Sequence, residues 1–174
     1  AEIIIAGSNG KAVRFLENTV RPLGRTPRGV KGFNVDGGYV IGLATNLEGE
    51  YILTITENGF GKKSALADYR MTRRGARGVK TVNVTEKSGK LVCMRAVRGD
   101  EDCMIMTAGG IVIRISLNQV SVYSRSAQGV KVINVKDDIV SSVAILEPEE
   151  DSEVVDISHN EVLDEGAFEE TSDD

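Results

Sequence analysis

Tyr51-Ile52-Leu53-Thr54-Ile55-Thr56 runs into Glu57-Asn58-Gly59 and continues as Phe60-Gly61-Lys62-Lys63-Ser64-Ala65. An apolar, β-branched run that meets Asn-Gly and is followed by a second short run predicts two antiparallel strands. Asn and Gly both reach the positive φ that a tight hairpin turn requires. Further on, Gly78–Val84 and Leu91–Val97 also have strand character, with a turn signal at Lys87–Gly89 between them. The expectation for this stretch is strands over 51–56, 61–65, 78–84 and 91–97, with little sustained helical periodicity anywhere.

The same grammar recurs on both sides. Asn9-Gly10-Lys11, Asn58-Gly59-Phe60 and Gly109-Gly110-Ile111 place their second glycine-bearing turn 49 and 51 residues apart, each after an apolar run: Ile3-Ile4-Ile5, Tyr51-Ile52-Leu53 and Cys103-Met104-Ile105. A second anchor keeps the same phase: Arg28-Gly29-Val30-Lys31, Arg77-Gly78-Val79-Lys80 and Gln128-Gly129-Val130-Lys131. Two independent anchors with one period establish a repeat, with units at 1–50, 51–100 and 101–146. Four short strands per unit predict an all-β architecture of propeller-like blades. Radial arrays close with about four to eight blades, so three units are expected to form part of a larger ring or an open arc. The chain opens on Ala1 directly before strand-like sequence, as expected if its natural N-terminus lies upstream.

The 174 residues, 41% hydrophobic and 27% charged, fit one ordinary domain or a short array of small repeats. No apolar run approaches a membrane span, and no signal-peptide pattern is present. Two cysteines, Cys93 and Cys103, are too few for a disulfide scaffold and are expected to be reduced and buried. With His159 the only histidine, neither a Cys/His zinc site nor a histidine-dependent catalytic centre can be assembled.

The net charge of −5 conceals a division. Residues 147–174 hold 13 carboxylates and no Lys or Arg, leaving residues 1–146 with 21 basic and 13 acidic side chains, a net of +8. A basic body is the electrostatic footprint of a polyanion binder. By unit, the net charges are +1, +7 and zero.

The candidate polyanion contacts cluster around the second anchor. Arg25-Thr26-Pro27-Arg28-Gly29-Val30-Lys31 and Arg74-Gly75-Ala76-Arg77-Gly78-Val79-Lys80 space cations along a loop and the strand after it. Arg pairs with phosphate in a bidentate manner and Lys acts as a point charge, while glycine allows a bend and a close backbone approach to a ligand. A single such loop is equally well read as a solvated basic loop beside a structural glycine; copies in phase put equivalent loops in a row along one rim. The candidates are Arg14, Arg25, Arg28 and Lys31 in the first unit. Lys62, Lys63, Arg70, Arg73, Arg74, Arg77 and Lys80 follow in the middle unit, and Arg114, Arg125 and Lys131 in the third. Arg14, Lys63 and Arg114 share one phase and extend the rim. Arg70, Arg73 and Arg77 become Ser121, Ser124 and Gln128 in the third unit. The middle unit is therefore expected to make the main contact and the third the least.

Gly24-Arg25-Thr26-Pro27-Arg28-Gly29-Val30-Lys31-Gly32 resembles, at every specified position, the blade motif Gly-Arg-x-x-Arg-Gly-Val-Lys-Gly of one family: the C-terminal domain of the DNA gyrase A protein and its topoisomerase IV counterpart. The resemblance covers about residues 1–146, and the acidic end is similar to the tails of many gyrase A proteins. It implies a β-pinwheel whose blades exchange strands, with duplex DNA wrapped around a basic rim through its phosphates. It also implies a bacterial, cytoplasmic, nucleoid-associated holoenzyme of two gyrase A and two gyrase B proteins. There the catalytic tyrosine lies in the N-terminal breakage-reunion domain of gyrase A, and ATP, with Mg²⁺, is used by gyrase B. No cofactor, metal or catalytic residue is then expected in this chain, and Tyr39, Tyr51, Tyr69 and Tyr123 are expected to be blade residues. The Gln-Arg-Arg-Gly-Gly-Lys-Gly box of gyrase is absent; Arg73-Arg74-Gly75-Ala76-Arg77-Gly78 is its nearest match. Either the box lies upstream of Ala1, the reading we favour, or the parent is of the topoisomerase IV type.

No recognition helix, zinc finger or leucine zipper is present for base readout, and 5% aromatic residues without Trp offer no stacking platform for single strands. Sequence preference is then expected to come from bendability. The competing reading is a protein-binding propeller whose basic loops meet an acidic partner. The tail is read either as a solubilising end or as an internal competitor for the rim, with Val154-Val155, Ile157 and Val162-Leu163 available for docking.

Overall fold

The structure, a computed structural model, describes residues 1–149. Within them the chain forms eleven strands and three single-turn 3-10 helices. The first unit supplies β1 (Glu2–Gly7), β2 (Lys11–Leu16) and β3 (Val40–Thr45). The middle unit supplies β4 (Tyr51–Thr56), β5 (Phe60–Ala65), β6 (Val79–Lys80) and β7 (Leu91–Val97). The third supplies β8 (Asp102–Thr107), β9 (Val112–Ser116), β10 (Val130–Lys131) and β11 (Val140–Leu146). The 3-10 turns Glu17–Thr19, Leu66–Asp68 and Leu117–Gln119 follow the second strand of each unit in the same phase. No helix among the described residues is long and apolar enough to cross a membrane.

The hairpin read from the sequence forms as expected: β4 and β5 are antiparallel, with Tyr51 opposite Ala65 and Ile55 opposite Gly61. The fourth strand behaves differently. The expected strand over 78–84 shortens to Val79–Lys80, and it leaves its own unit to pair with β2 of the first, Lys11 opposite Lys80 and Ala12 opposite Val79. Val130–Lys131 does the same one unit on, pairing with Phe60 and Gly61. The sheets therefore read β3-β1-β2-β6, β7-β4-β5-β10 and β11-β8-β9, four, four and three strands. Each of the first two blades is completed by the unit after it.

This exchange explains two sequence features. Gly78 and Gly129 both hold positive φ, +76° and +85°. A side chain on Gly78 would collide with the Ala12 carbonyl, and one on Gly129 would lie 2.5 Å from the Gly61 carbonyl. The close approach expected of these glycines is thus to the backbone of the preceding unit, rather than to a ligand.

The unbroken apolar run in β4 follows from burial on both faces. Ile52 joins Ile4, Leu66, Tyr69, Leu91 and Met94 between the first and second sheets. Leu53 and Ile55 join Cys93, Val97, Cys103, Ile105, Leu117 and Val140 between the second and third. Fully burying each such aliphatic side chain contributes roughly 1.5–3 kcal/mol. Cys93 and Cys103 are both free and buried, and burial pushes both thiols up to about 12, so neither is ionised at neutral pH.

Candidate nucleic-acid interface

The loops between the 3-10 turns and the exchanged strands, residues 20–31, 69–80 and 120–131, are laid side by side by the exchange itself. The Gly75 N–H donates to the Gly32 carbonyl (2.6 Å), the Asn34 N–H to the Ala76 carbonyl (2.9 Å), and the Arg74 Nη1 to the Lys31 carbonyl (2.8 Å). One unit on, the Arg125 Nη1 donates to the Lys80 carbonyl. Arg74 and Arg125 occupy one phase, so the first arginine of each motif ties its loop to the lysine of the loop before.

The predicted contacts divide into two groups. Arg25, Arg28, Lys31, Arg70, Arg73, Arg77, Lys80 and Lys131 are exposed on the loops and the exchanged strands. Arg70, Arg73 and Arg77, with Met71, Thr72, Ala76 and Gly78, line an open groove of about 540 Å³ on the middle unit. Arg77 lies 4.0 Å from Asp36, a solvent-exposed pair of little energetic consequence. Gln128, in the phase of Arg77, makes the equivalent contact with the preceding unit, Nε2 to Thr85 Oγ1 at 3.1 Å.

The second group is engaged by the protein itself, against expectation: Lys62, Lys63 and Arg14 are drawn inward, and Arg114 is exposed but ion-paired. Lys62 is fully buried (0% exposed), and its ammonium donates to Ser64 Oγ (3.0 Å) and to the carbonyls of Ser124 (2.8 Å) and Arg125 (2.5 Å). Burial, with the nearby Arg125 charge, lowers its pKa from 10.5 to about 8. Lys63 is buried over the Tyr51 ring, 5.6 Å from its centroid. Arg14 bonds Glu2 Oε2 (2.6 Å) and the carbonyls of Leu66 (3.0 Å) and Tyr69 (2.7 Å) across the first joint. Arg114 is held by Asp102 (2.7 Å) and Glu149 (2.7 Å) and donates to the Glu147 carbonyl (3.2 Å). The phase shared by Arg14, Lys63 and Arg114 therefore divides: Arg14 and Lys63 are taken up between elements, while Arg114 stays exposed within ion pairs. These cations, with Arg74 and Arg125, are spent on joints and on local ion pairs. For Arg14 and Lys62 the physical reason is the exchange: residues that would face solvent in an isolated blade face the next unit's loop.

Two groups escaped the sequence reading. Arg21 is exposed in the phase of Arg70, a relation the repeat itself carried. Lys87 and Lys136 gather with Lys131 around Asn58, Phe60 and Glu86, where Lys87 and Lys131 lie 5.5 and 6.0 Å from the Phe60 ring. Only the strand exchange brings these turns together.

Tyr69 is buried with its hydroxyl bonded to Thr81, and burial raises it to about 12, an unsuitable nucleophile. No group of three or more His, Cys, Asp or Glu converges among the described residues. At the start of the acidic stretch Glu147 pairs with Arg98 at 2.9 Å; the predicted tail beyond Glu149 lies outside the described residues.

Comparison with known proteins agrees with this geometry. The family described as DNA gyrase C-terminal domain, beta-propeller, matches residues 1–46, 50–98 and 101–147. The DNA gyrase A protein of Staphylococcus aureus (strain MRSA252) is 43% identical over 156 residues, covering 87% of this chain and 18% of the relative. That of Staphylococcus epidermidis (strain ATCC 12228 / FDA PCI 1200) is 40% identical over 155 residues, covering 87% and 17%. The chain thus spans less than a fifth of these relatives. A solved DNA gyrase A C-terminal domain superposes with a TM-score of 0.75 at 25% identity, over 83% of this chain and 50% of that one. A DNA topoisomerase IV C-terminal domain shares the fold, with a TM-score of 0.77 at 23% identity over 84% and 46%.

Proposed function

The chain belongs to the DNA gyrase C-terminal domain family, and from that membership we propose that it is a non-catalytic module that binds and bends duplex DNA around its rim. The observation that supports this is the row of exposed cations on adjacent, hydrogen-bonded loops, Arg21 to Lys31 and Arg70 to Lys80. Cations fixed at regular intervals along a curved edge suit the phosphates of a duplex, and bending the duplex lets successive loops engage in turn. Phosphate contacts position without reading bases.

In this reading the module serves a bacterial type II topoisomerase of the gyrase kind, in the cytoplasm with the nucleoid. Strand cleavage belongs to the breakage-reunion part of the same gyrase A protein. ATP hydrolysis, with Mg²⁺, belongs to gyrase B, in an assembly of two copies of each. The module itself takes no cofactor. Its acidic end competes with DNA for the rim.

The test is binding of the chain to duplexes of increasing length across a salt titration. Affinity that grows with duplex length and falls steeply with salt is the expected result. Affinity indifferent to duplex length, with tight binding to an acidic protein instead, overturns the reading in favour of a protein-docking propeller.

A further inference from the structure

Outside the arginine row, three lysines from three separate segments meet at the second joint, around Asn58 and Phe60 of the middle unit's hairpin. Each segment is tied to that hairpin through the backbone. The Asn58 Nδ2 donates to the carbonyls of Glu86 (3.1 Å) and Lys87 (3.0 Å), which holds the turn that bears Lys87. Lys131 stands opposite Phe60 in the exchanged pairing, and the Val132 N–H beside it donates to the Gly59 carbonyl (2.9 Å). Lys136 lies in the next turn, and the chain after it is fixed by the Val140 N–H, which donates to the Glu57 carbonyl (2.8 Å).

None of the three ammoniums is ion-paired among the described residues, although Glu86 lines the same pocket. Lys62, by contrast, is bound by two carbonyls and a hydroxyl, and Lys80 bonds Asn83 Oδ1 (3.3 Å). Lys87 and Lys131 are instead drawn to the Phe60 ring, 5.5 and 6.0 Å from its centroid, an attraction that gathers two like charges about one point. Charges so gathered repel each other, and an anion seated between them relieves the repulsion.

Lys136 carries a further mark. At φ +51° it is the one non-glycine residue at positive φ among those described, a conformation that side-chain-bearing residues rarely adopt. Its N–H donates to Asn134 Oδ1 (3.3 Å). Strain kept at a single surface lysine points to a use for its placement. The repeat does not impose the arrangement. In the first joint Lys11 holds the phase of Phe60 and Thr85 that of Lys136, and Asp36-Gly37-Gly38 forms the turn that corresponds to the one bearing Lys87.

The pocket between these groups measures about 320 Å³, at the low end for ligand sites and suited to a compact anion. Lysines serve phosphate oxygens as point charges with rotatable donors. We propose that Lys87, Lys131 and Lys136 form a phosphate-binding pocket beside Phe60, separate from the arginine row. Its ligand is a phosphate group, supplied by a free polyphosphate or by the backbone of DNA; the recognition chemistry is common to both. The site stands on its own lysines, so a free phosphate compound tests it whether or not the chain binds a duplex.

The experiment is calorimetric titration of the 174-residue chain with inorganic pyrophosphate at constant ionic strength. The expected result is one saturable site, weakened about tenfold or more by Lys87→Gln and again by Lys136→Gln, each of which removes one charged contact. Lys136→Gly relaxes the positive φ, so it should hold or raise the thermal midpoint while weakening pyrophosphate as Lys136→Gln does. The combined Arg70→Ser, Arg73→Ser and Arg77→Gln variant should bind pyrophosphate as the unaltered chain does. Absence of a saturable site overturns the proposal, as does equal weakening by the arginine and lysine variants, which would mark a diffuse attraction to positive charge. A duplex titration then identifies the source. A salt slope lowered by about 1.8 in Lys87→Gln/Lys136→Gln, with pyrophosphate and duplex in competition, assigns the pocket to a backbone phosphate. An unchanged slope, with both bound together, assigns it to a free polyphosphate.

Discussion

The loops over 69–80 and 120–131 have the same backbone and different charge. Both end in a glycine at positive φ that lies against the preceding unit, and both send an arginine, Arg74 or Arg125, to the carbonyl of the lysine before it. Yet the exposed Arg70, Arg73 and Arg77 of the first are Ser121, Ser124 and Gln128 in the second. The joint needs the stapling arginine and is indifferent to the others. Cations that the fold does not use can therefore be read as serving a partner, and the two loops provide an internal control for each other.

The strongest test converts one loop into the other. Arg70→Ser, Arg73→Ser and Arg77→Gln together should leave thermal stability unchanged, since all three residues are exposed. The slope of log K against log salt should fall by about 2.7, corresponding to a loss of affinity on the order of 10²–10³ at 0.1 M salt. Unchanged DNA affinity would break the comparison, because the charge difference would then serve no polyanion.

The joints also differ. Lys62 crosses the second joint, whereas Val13 holds its phase in the first. With a folded pKa of about 8 against 10.5, Lys62 loses its proton in the folded chain while the unfolded chain still holds one. Stability should therefore rise with pH from about 8 to 10.5 relative to Lys62→Met, by about 3 kcal/mol across that window. Chemical denaturation at pH 7 and pH 10 of both proteins measures it. A smaller effect is expected for Arg125→Ala, which removes one charged hydrogen bond between loops, a stability cost of roughly 1.5–3 kcal/mol. It should also raise the Lys62 pKa, because the Arg125 charge helps to depress it. Its salt slope for DNA should match that of the unaltered chain, which separates a joint residue from a rim residue.

Much of this division was within reach of the sequence. Apolar runs and Asn58-Gly59 placed β4, and Leu91–Val97 placed β7, because strand period and turn chemistry are local. The two anchors gave the repeat. What the period could not give was membership: Val79–Lys80 reads the same whether it completes its own sheet or the one before. With the exchange hidden, Lys62 and Lys63 counted as surface cations by type, although the neighbouring loop and the Gly99 turn bury them. One signal was present and would have separated part of the set. Arg125 persists in a unit that has lost the other loop arginines, as a structural requirement would dictate.

The finest test works on one position. Arg77 and Gln128 make the same contact with the preceding unit, Asp36 in one case and Thr85 in the other, so exchanging them changes charge at constant placement. Arg77→Gln should lower the salt slope by about 0.9 and the affinity about tenfold at 0.1 M salt. Gln128→Arg should raise both by similar amounts if the third loop lies on the DNA path. The pair is informative because the effects need not mirror each other. A loss at position 77 without a gain at 128 would place the duplex on the first two units and off the third. Equal and opposite effects would carry it across all three. Either result requires the stabilities of both variants to stay level, since the only bonds altered are an exposed 4.0 Å pair and an exposed amide contact.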